Sequence, residues 1–227
     1  MGVMPWMKAV KDSKQLTVFA TDNVTKGSWN SIFIKALAEF NRLSKSHSLG
    51  VTLVQSTTPP DPKRQLGAHI QFDTASGTIT IKDQFVDDSI AFSGTALHGF
   101  TRTIGMQFGQ QPAEMVRAYV FVPSDPKIQG VTEKFEPGPV RPVGDGIKTF
   151  IAVHEFIHAA SGLNNSDHSR CDSPDVFVGP PICTPSASGS RNPNDDKIIV
   201  GTHPRISKFP PITLTPRTVS LIQSAWT

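Results

Sequence analysis

His154-Glu155-Phe156-Ile157-His158 is the part of this chain whose residue types and spacing can do chemistry. Residues four apart on a helix lie on one face, a single turn from each other. His154 and His158 can therefore offer two imidazole nitrogens to the same metal ion. Glu155 stands about 100° round the helix from His154. From there its carboxylate reaches a water beside the metal without being a ligand itself. Imidazole donors suit zinc, and the chemistry of such an arrangement is metal-assisted hydrolysis with Glu155 as general base.

A helix must present these side chains, and the flanking sequence supplies one. Asp145 is the expected N-cap. Ile147, Phe150, Ile151 and Ile157 recur with the histidines at helical spacing, and Val153 and Phe156 widen the apolar surface, as in a helix buried in a core. Gly162 is the expected C-cap, because a residue at positive φ ends such a helix.

The remaining elements give that helix something to pack on. Leu16–Thr21 reads as a strand. A helix then opens at Gly27 and Ser28, with Trp29, Ile32, Phe33, Ala36, Leu37, Phe40 and Leu43 on one stripe. Val51–Gln55 is a second strand, so the chain begins β-α-β with those two strands parallel. Ala68–Phe72 and Thr78–Lys82 are expected to form a hairpin across the turn residues Asp73–Gly77. His69, in the first of these runs, reads as a core or edge histidine. Asp83–Gly109 gives no clear period, since Gly99 and Gly105 interrupt its apolar runs, and His98 is set aside as a coincidence. Val116–Pro123 is a strong strand, and Ser124–Gly144 reads as a loop that borders the cleft or lies free on the surface. Cys171–Pro211 is rich in Pro, Ser, Asn and Gly, with Ile198–Val200 as its one short strand. A last helix is capped by Thr215, starts at Pro216 and turns Val219, Ile222 and Trp226 inward.

The expected fold is thus α/β of the α+β kind. It is a mixed twisted sheet with an early packing helix, a central zinc-binding helix and a C-terminal helix. At 227 residues with no internal repeat, one domain spanning 1–227 is expected, including the loop-rich part 171–211 and the terminal helix at about 215–226. The net charge is +3 and the Lys and Arg residues are scattered, so neither nucleic acid nor a membrane surface is called for. The opening MGVMPWMKAVKDSKQL has no apolar h-region, so the compartment stays open between cytoplasmic residence, export without a signal peptide, and a leader already removed. Cys171 and Cys183 are expected to pair across a Pro-rich loop, adding about 3 kcal/mol in an oxidising compartment.

Catalytic zinc takes three protein ligands and leaves one position open. No Glu follows Glu155, so a downstream helical glutamate is ruled out as the third. The candidates are Asp167, His168, Cys171, Asp172, Asp175 and His203.

The motif with Gly162 and His168 resembles the metzincins, the zinc peptidases whose HExxHxxGxxH pattern ends its helix at Gly and takes a third His from the following turn. The β-α-β opening, the hairpin and the late zinc helix resemble that fold too, in outline over 16–168. Two departures mark the chain as divergent. Gly162 falls one residue late and His168 four, and no methionine follows Met115 to form the family's methionine turn. The resemblance implies His168 as third ligand, with Asp167 the alternative, since aspartate-liganded zincins exist. It implies a zinc-dependent peptidase acting on peptides or proteins as a monomer, with Glu155 as base and acid. It also implies an oxyanion donor, for which Tyr119 and His203 are available, and extended substrate added to a strand, either Val116–Pro123 or Thr78–Lys82. The rival readings are a zinc-binding module without catalysis, against which the intact Glu155 argues, and a zinc hydrolase of a non-peptide substrate.

Overall fold

The structure is a computed structural model that describes residues 4–64, 66–107, 109–110, 112–131, 137–162, 178–179 and 211–227. After a short helix α1 (Lys8–Ser13), strand β1 (Gln15–Ala20) runs into a one-turn helix α2 (Asp22–Thr25) and then α3 (Asn30–His47). Strand β2 (Thr52–Ser56) returns parallel to β1, in register from Gln15 opposite Thr52 to Phe19 opposite Ser56. The apolar stripe of α3 is the reason for this arrangement: Ile32, Phe33, Ala36, Leu37, Phe40 and Leu43 are all buried. Asn41 ties the helix to the edge strand, donating to the Leu53 carbonyl at 2.9 Å and accepting from the Leu53 amide at 2.7 Å. Those bonds satisfy backbone groups that would otherwise be orphaned at a sheet edge.

Strand β3 (Ile70–Ala75) lies parallel to β1 on its other side. The expected hairpin between Ala68–Phe72 and Thr78–Lys82 is not formed. Instead β4 (Gly77–Asp83) pairs antiparallel with β5 (Val86–Phe92), turning at Gln84 and Phe85. The reason is burial: Ile70 and Phe72 belong to the centre of the main sheet, where β3 needs a strand on each side. The segment without a clear period therefore holds β5 and also β6 (Phe100–Met106), which pairs antiparallel with β7 (Glu114–Pro123). The main sheet has the order β2-β1-β3-β7-β6, parallel throughout except for β6 at its edge.

A bulge between Ile104 and Gly105 sets two faces on β7. Ile104 pairs with Arg117 and Gly105 with Met115, so Val116 is the extra residue. Met115, Ala118, Val120 and Val122 face the helices, whereas Val116, Tyr119 and Phe121 face the β4–β5 ribbon with Ile79, Ile81 and Phe92. Arg117 joins the ribbon side by an ion pair to Asp83, and its other nitrogen donates to the carbonyls of Asp61 and Arg64.

The segment Ser124–Gly144, expected as a loop, contains a second ribbon. Strands β8 (Lys127–Val131) and β9 (Pro137–Pro142) pair antiparallel. A two-stranded ribbon leaves one side of each strand unpaired, which is where prolines are tolerated. Helix α4 (Asp145–Ser161) follows. The short pair β10 (Val178–Gly179) and β11 (Thr213–Leu214) leads to α5 (Pro216–Trp226). Thr215 caps α5, accepting from the Thr218 amide, with Pro216 at its first position. Its buried residues are Thr218, Ile222, Ala225 and Trp226, while Val219 packs half-buried at the margin. Among the described residues no helix is long and apolar enough to cross a membrane.

Candidate metal centre

Helix α4 lies against α3, α5 and the β6–β7 end of the sheet, and twelve of its residues are buried. Its start differs from expectation. Gly144, extended at φ −79° and ψ 173°, is the N-cap, and no side chain caps the helix. Asp145 is the first helical residue. Its carboxylate pairs with Lys35 of α3 at 2.6 Å and still stands where the helix dipole favours a negative charge. The end is as expected: Gly162 is left-handed at φ 70°, and its amide bonds to the His158 carbonyl. A Cβ there would run into the backbone carbonyl of Met4, so glycine is needed for both conformation and space.

His154 and His158 face each other one turn apart, with ring centroids 5.0 Å apart and planes at 71°. His154 is half-buried and tilted against Phe150, at 6.2 Å, and His158 is wholly buried. One donor atom from each of His154, Glu155 and His158 lies within 4.8 Å of the others, close enough to hold one metal ion. Two imidazoles and a carboxylate are a donor set that suits zinc among other divalent metals.

Phe156 points the other way and locks the motif onto the core. Its ring meets Phe72 at 5.3 Å, Phe33 at 6.4 Å and Phe40 at 6.5 Å, joining α4 to β3 and α3.

Glu155 is 1% exposed. Burial pushes its carboxyl up to about 8, because desolvation disfavours the charged form. Two hydrogen bonds oppose that rise, one from Thr101 and one from the backbone of Gly99. The Thr101 hydroxyl donates to Oε2 at 2.6 Å. A cation held at the imidazoles would favour the ionised form further.

One residue expected near the site is elsewhere. Tyr119 is on the ribbon face of β7, where its hydroxyl donates to Asp83 at 2.8 Å. Strand alternation carries it to the side of the sheet away from α4, so it is no oxyanion donor here. The two strands considered for substrate also differ from expectation. Val116–Pro123 belongs to β7, paired on both sides, and Thr78–Lys82 is in the ribbon. The edge strand beside α4 is β6. His69 is part-buried at the head of the central strand β3, bonded through its backbone to Thr17 of β1 and Ala118 of β7: its Nδ1 takes the Thr17 amide at 3.1 Å, and burial lowers its pKa. His98 is exposed. The candidates Asp167, His168, Cys171, Asp172, Asp175 and His203, the Cys171–Cys183 pairing and the short strand expected at Ile198–Val200 lie outside the described residues.

Sequence reasoning missed Gly99 and Thr101 as neighbours of Glu155. The signal available was Gly99 itself, which breaks an apolar run where nothing local needs a turn.

No protein-family model matches this chain, and no curated protein matches it.

Proposed function

We propose that the protein is a zinc-dependent peptidase of metzincin-like kind, with His154, His158 and His168 as ligands and Glu155 as general base. The observation that carries this is Glu155: a buried carboxylate held by two donors beside two imidazoles at metal-ligand spacing. Two imidazoles and a third ligand could retain a metal without a glutamate tied to a neighbouring strand, whereas hydrolysis needs a base within reach of the attacking water.

A zinc ion held by His154, His158 and His168 would lower the pKa of a water molecule and polarise the scissile carbonyl. Glu155 takes the proton from the attacking water and passes it to the leaving amine. The burial of Glu155, 1% exposed, keeps bulk water from that transfer. Extended substrate lies along β6, the antiparallel edge strand next to α4. Gly162 ends the helix in a left-handed conformation, which a further ligand requires, since continuing the helix would carry it off at about 1.5 Å per residue.

Elemental analysis of the purified protein together with casein cleavage tests the reading. About one zinc per chain is expected, lost in His154→Ala and His158→Ala. Glu155→Ala should keep the zinc and lose cleavage by at least about 100-fold. His168→Ala should empty the site as His158→Ala does, and Asp167→Ala should not. Zinc retained in His168→Ala and lost in Asp167→Ala makes the site aspartate-liganded. Metal without any cleavage by the wild type makes the chain a binding module.

A further inference from the structure

Thr101 and Gly99 come from β6 and the residue preceding it, the part of the sheet that meets α4 at Glu155. Thr101 is 2% exposed. Its hydroxyl lies 2.6 Å from Glu155 Oε2 and 3.2 Å from the Glu155 backbone carbonyl. The Gly99 amide donates to the same carboxylate. A Cβ on Gly99 would stand 2.5 Å from Glu155 Cγ, 2.8 Å from its Cδ and 2.6 Å from the Phe121 carbonyl oxygen. Real side chains do not approach so closely, so glycine is what lets the carboxylate sit under the strand.

The choice of threonine at 101 asks for a reason. Its neighbours across β7 on this face of the sheet are Ala118, Val120 and Val122. Valine has the same shape as threonine, and a buried hydroxyl without a partner costs about 1–3 kcal/mol. The hydroxyl is worth burying here because a carboxylate faces it. A glutamate side chain has three rotatable bonds, and two donors from one strand fix where its carboxylate points.

We propose that Thr101 is a positioning residue: its hydroxyl, together with the Gly99 amide, holds the Glu155 carboxylate in the orientation from which it serves the metal position between His154 and His158. The consequence for rate rests on the peptidase reading, but the contact itself can be measured without it. Misplacing a catalytic group by about 1 Å can lower a rate by about 100-fold.

The test uses Thr101→Val, which removes only the hydroxyl, and Thr101→Ser, which keeps it. Two measurements are made. In a double-mutant cycle of Thr101→Val with Glu155→Ala, urea unfolding should show a coupling of about tenfold in the unfolding constant, as expected for a buried hydrogen bond. In casein-peptide hydrolysis, Thr101→Val should keep its zinc and its KM within about twofold while kcat falls about 10–100-fold. Thr101→Ser should recover most of that loss. Additive stabilities, or a Thr101→Val enzyme with unchanged kcat, overturn the proposal. If the wild type cleaves no peptide, the peptidase reading fails and the cycle alone decides whether Thr101 holds Glu155. Should Thr101→Val not fold, Thr101→Ala replaces it in both measurements.

Discussion

Tyr119 and Glu155 show how differently two buried groups on either side of one sheet are handled. Glu155 has its hydroxyl and amide donors on the helix side. Tyr119, on the ribbon side, donates to Asp83, which also holds Arg117. Burial first, then the hydrogen bond and charge of Asp83, push the Tyr119 phenol up to about 12. The phenol thus prefers its neutral form in the folded protein more than in the unfolded chain, where it titrates near 10. The stability this contributes is complete below pH about 10 and is lost as pH rises from about 10 through about 12. Tyr119 is the one tyrosine of the chain, so tyrosinate absorbance reads it alone. An alkaline titration of the folded protein should show its midpoint near 12, and Asp83→Asn should lower it. A midpoint near 10 with the fold intact would mean that Tyr119 is not packed against Asp83.

Among the elements, α4 carries the most consequence, because its two faces have separate tasks. One face holds the imidazoles and Glu155; the other sets Phe156 among Phe33, Phe40 and Phe72. Phe156→Ala should cost about 3–5 kcal/mol by urea unfolding, the usual range for removing a buried ring. Zinc content at low temperature should fall much less than in His158→Ala, because no ligand is removed. A loss below about 1 kcal/mol would show that the ring is not in the core. Much of this helix was legible in the sequence: its extent, its buried character and its glycine stop all follow from local period and turn chemistry. So were β1, α3, β2 and α5, whose patterns are set by neighbours close in the chain. The strand partners were not. Thr78–Lys82 alternates whether it pairs with β3 or β5, and only the need of β3 for two neighbours decides. The proline-bearing β9 was read as loop because a ribbon with an open side leaves no periodic mark. Thr101 and Gly99 were not legible as neighbours of Glu155: they are 54 and 56 positions away, and the break Gly99 makes in an apolar run marks an unusual position without naming its partner.

On the scale of the whole molecule, both ends of the described chain converge on the end of α4. The Trp6 indole donates to the Ala159 carbonyl at 3.0 Å, and the Trp226 indole to the Ala160 carbonyl at 2.9 Å. The last carbonyls of a helix have no partner within it, and buried ones must find one elsewhere. Here they are met from opposite termini, just before Gly162 ends the helix. Trp6, Trp29 and Trp226 are the three tryptophans of the chain, and all lie in one continuous core cluster with the inward residues of β1, α3, β3, β7 and α4. Their fluorescence therefore samples both termini and the middle at once. If the chain folds as one domain, urea unfolding followed by tryptophan emission and by far-ultraviolet circular dichroism should give one transition with a shared midpoint. Trp6→Phe and Trp226→Phe should each lower stability by about 1–3 kcal/mol, since each leaves a buried carbonyl without its donor. Both substitutions loosen the same helix end, so their effects should not simply add. Two separate transitions, or a Trp6→Phe protein as stable as wild type, would mean that the N-terminal segment is not part of the core that carries the metal centre.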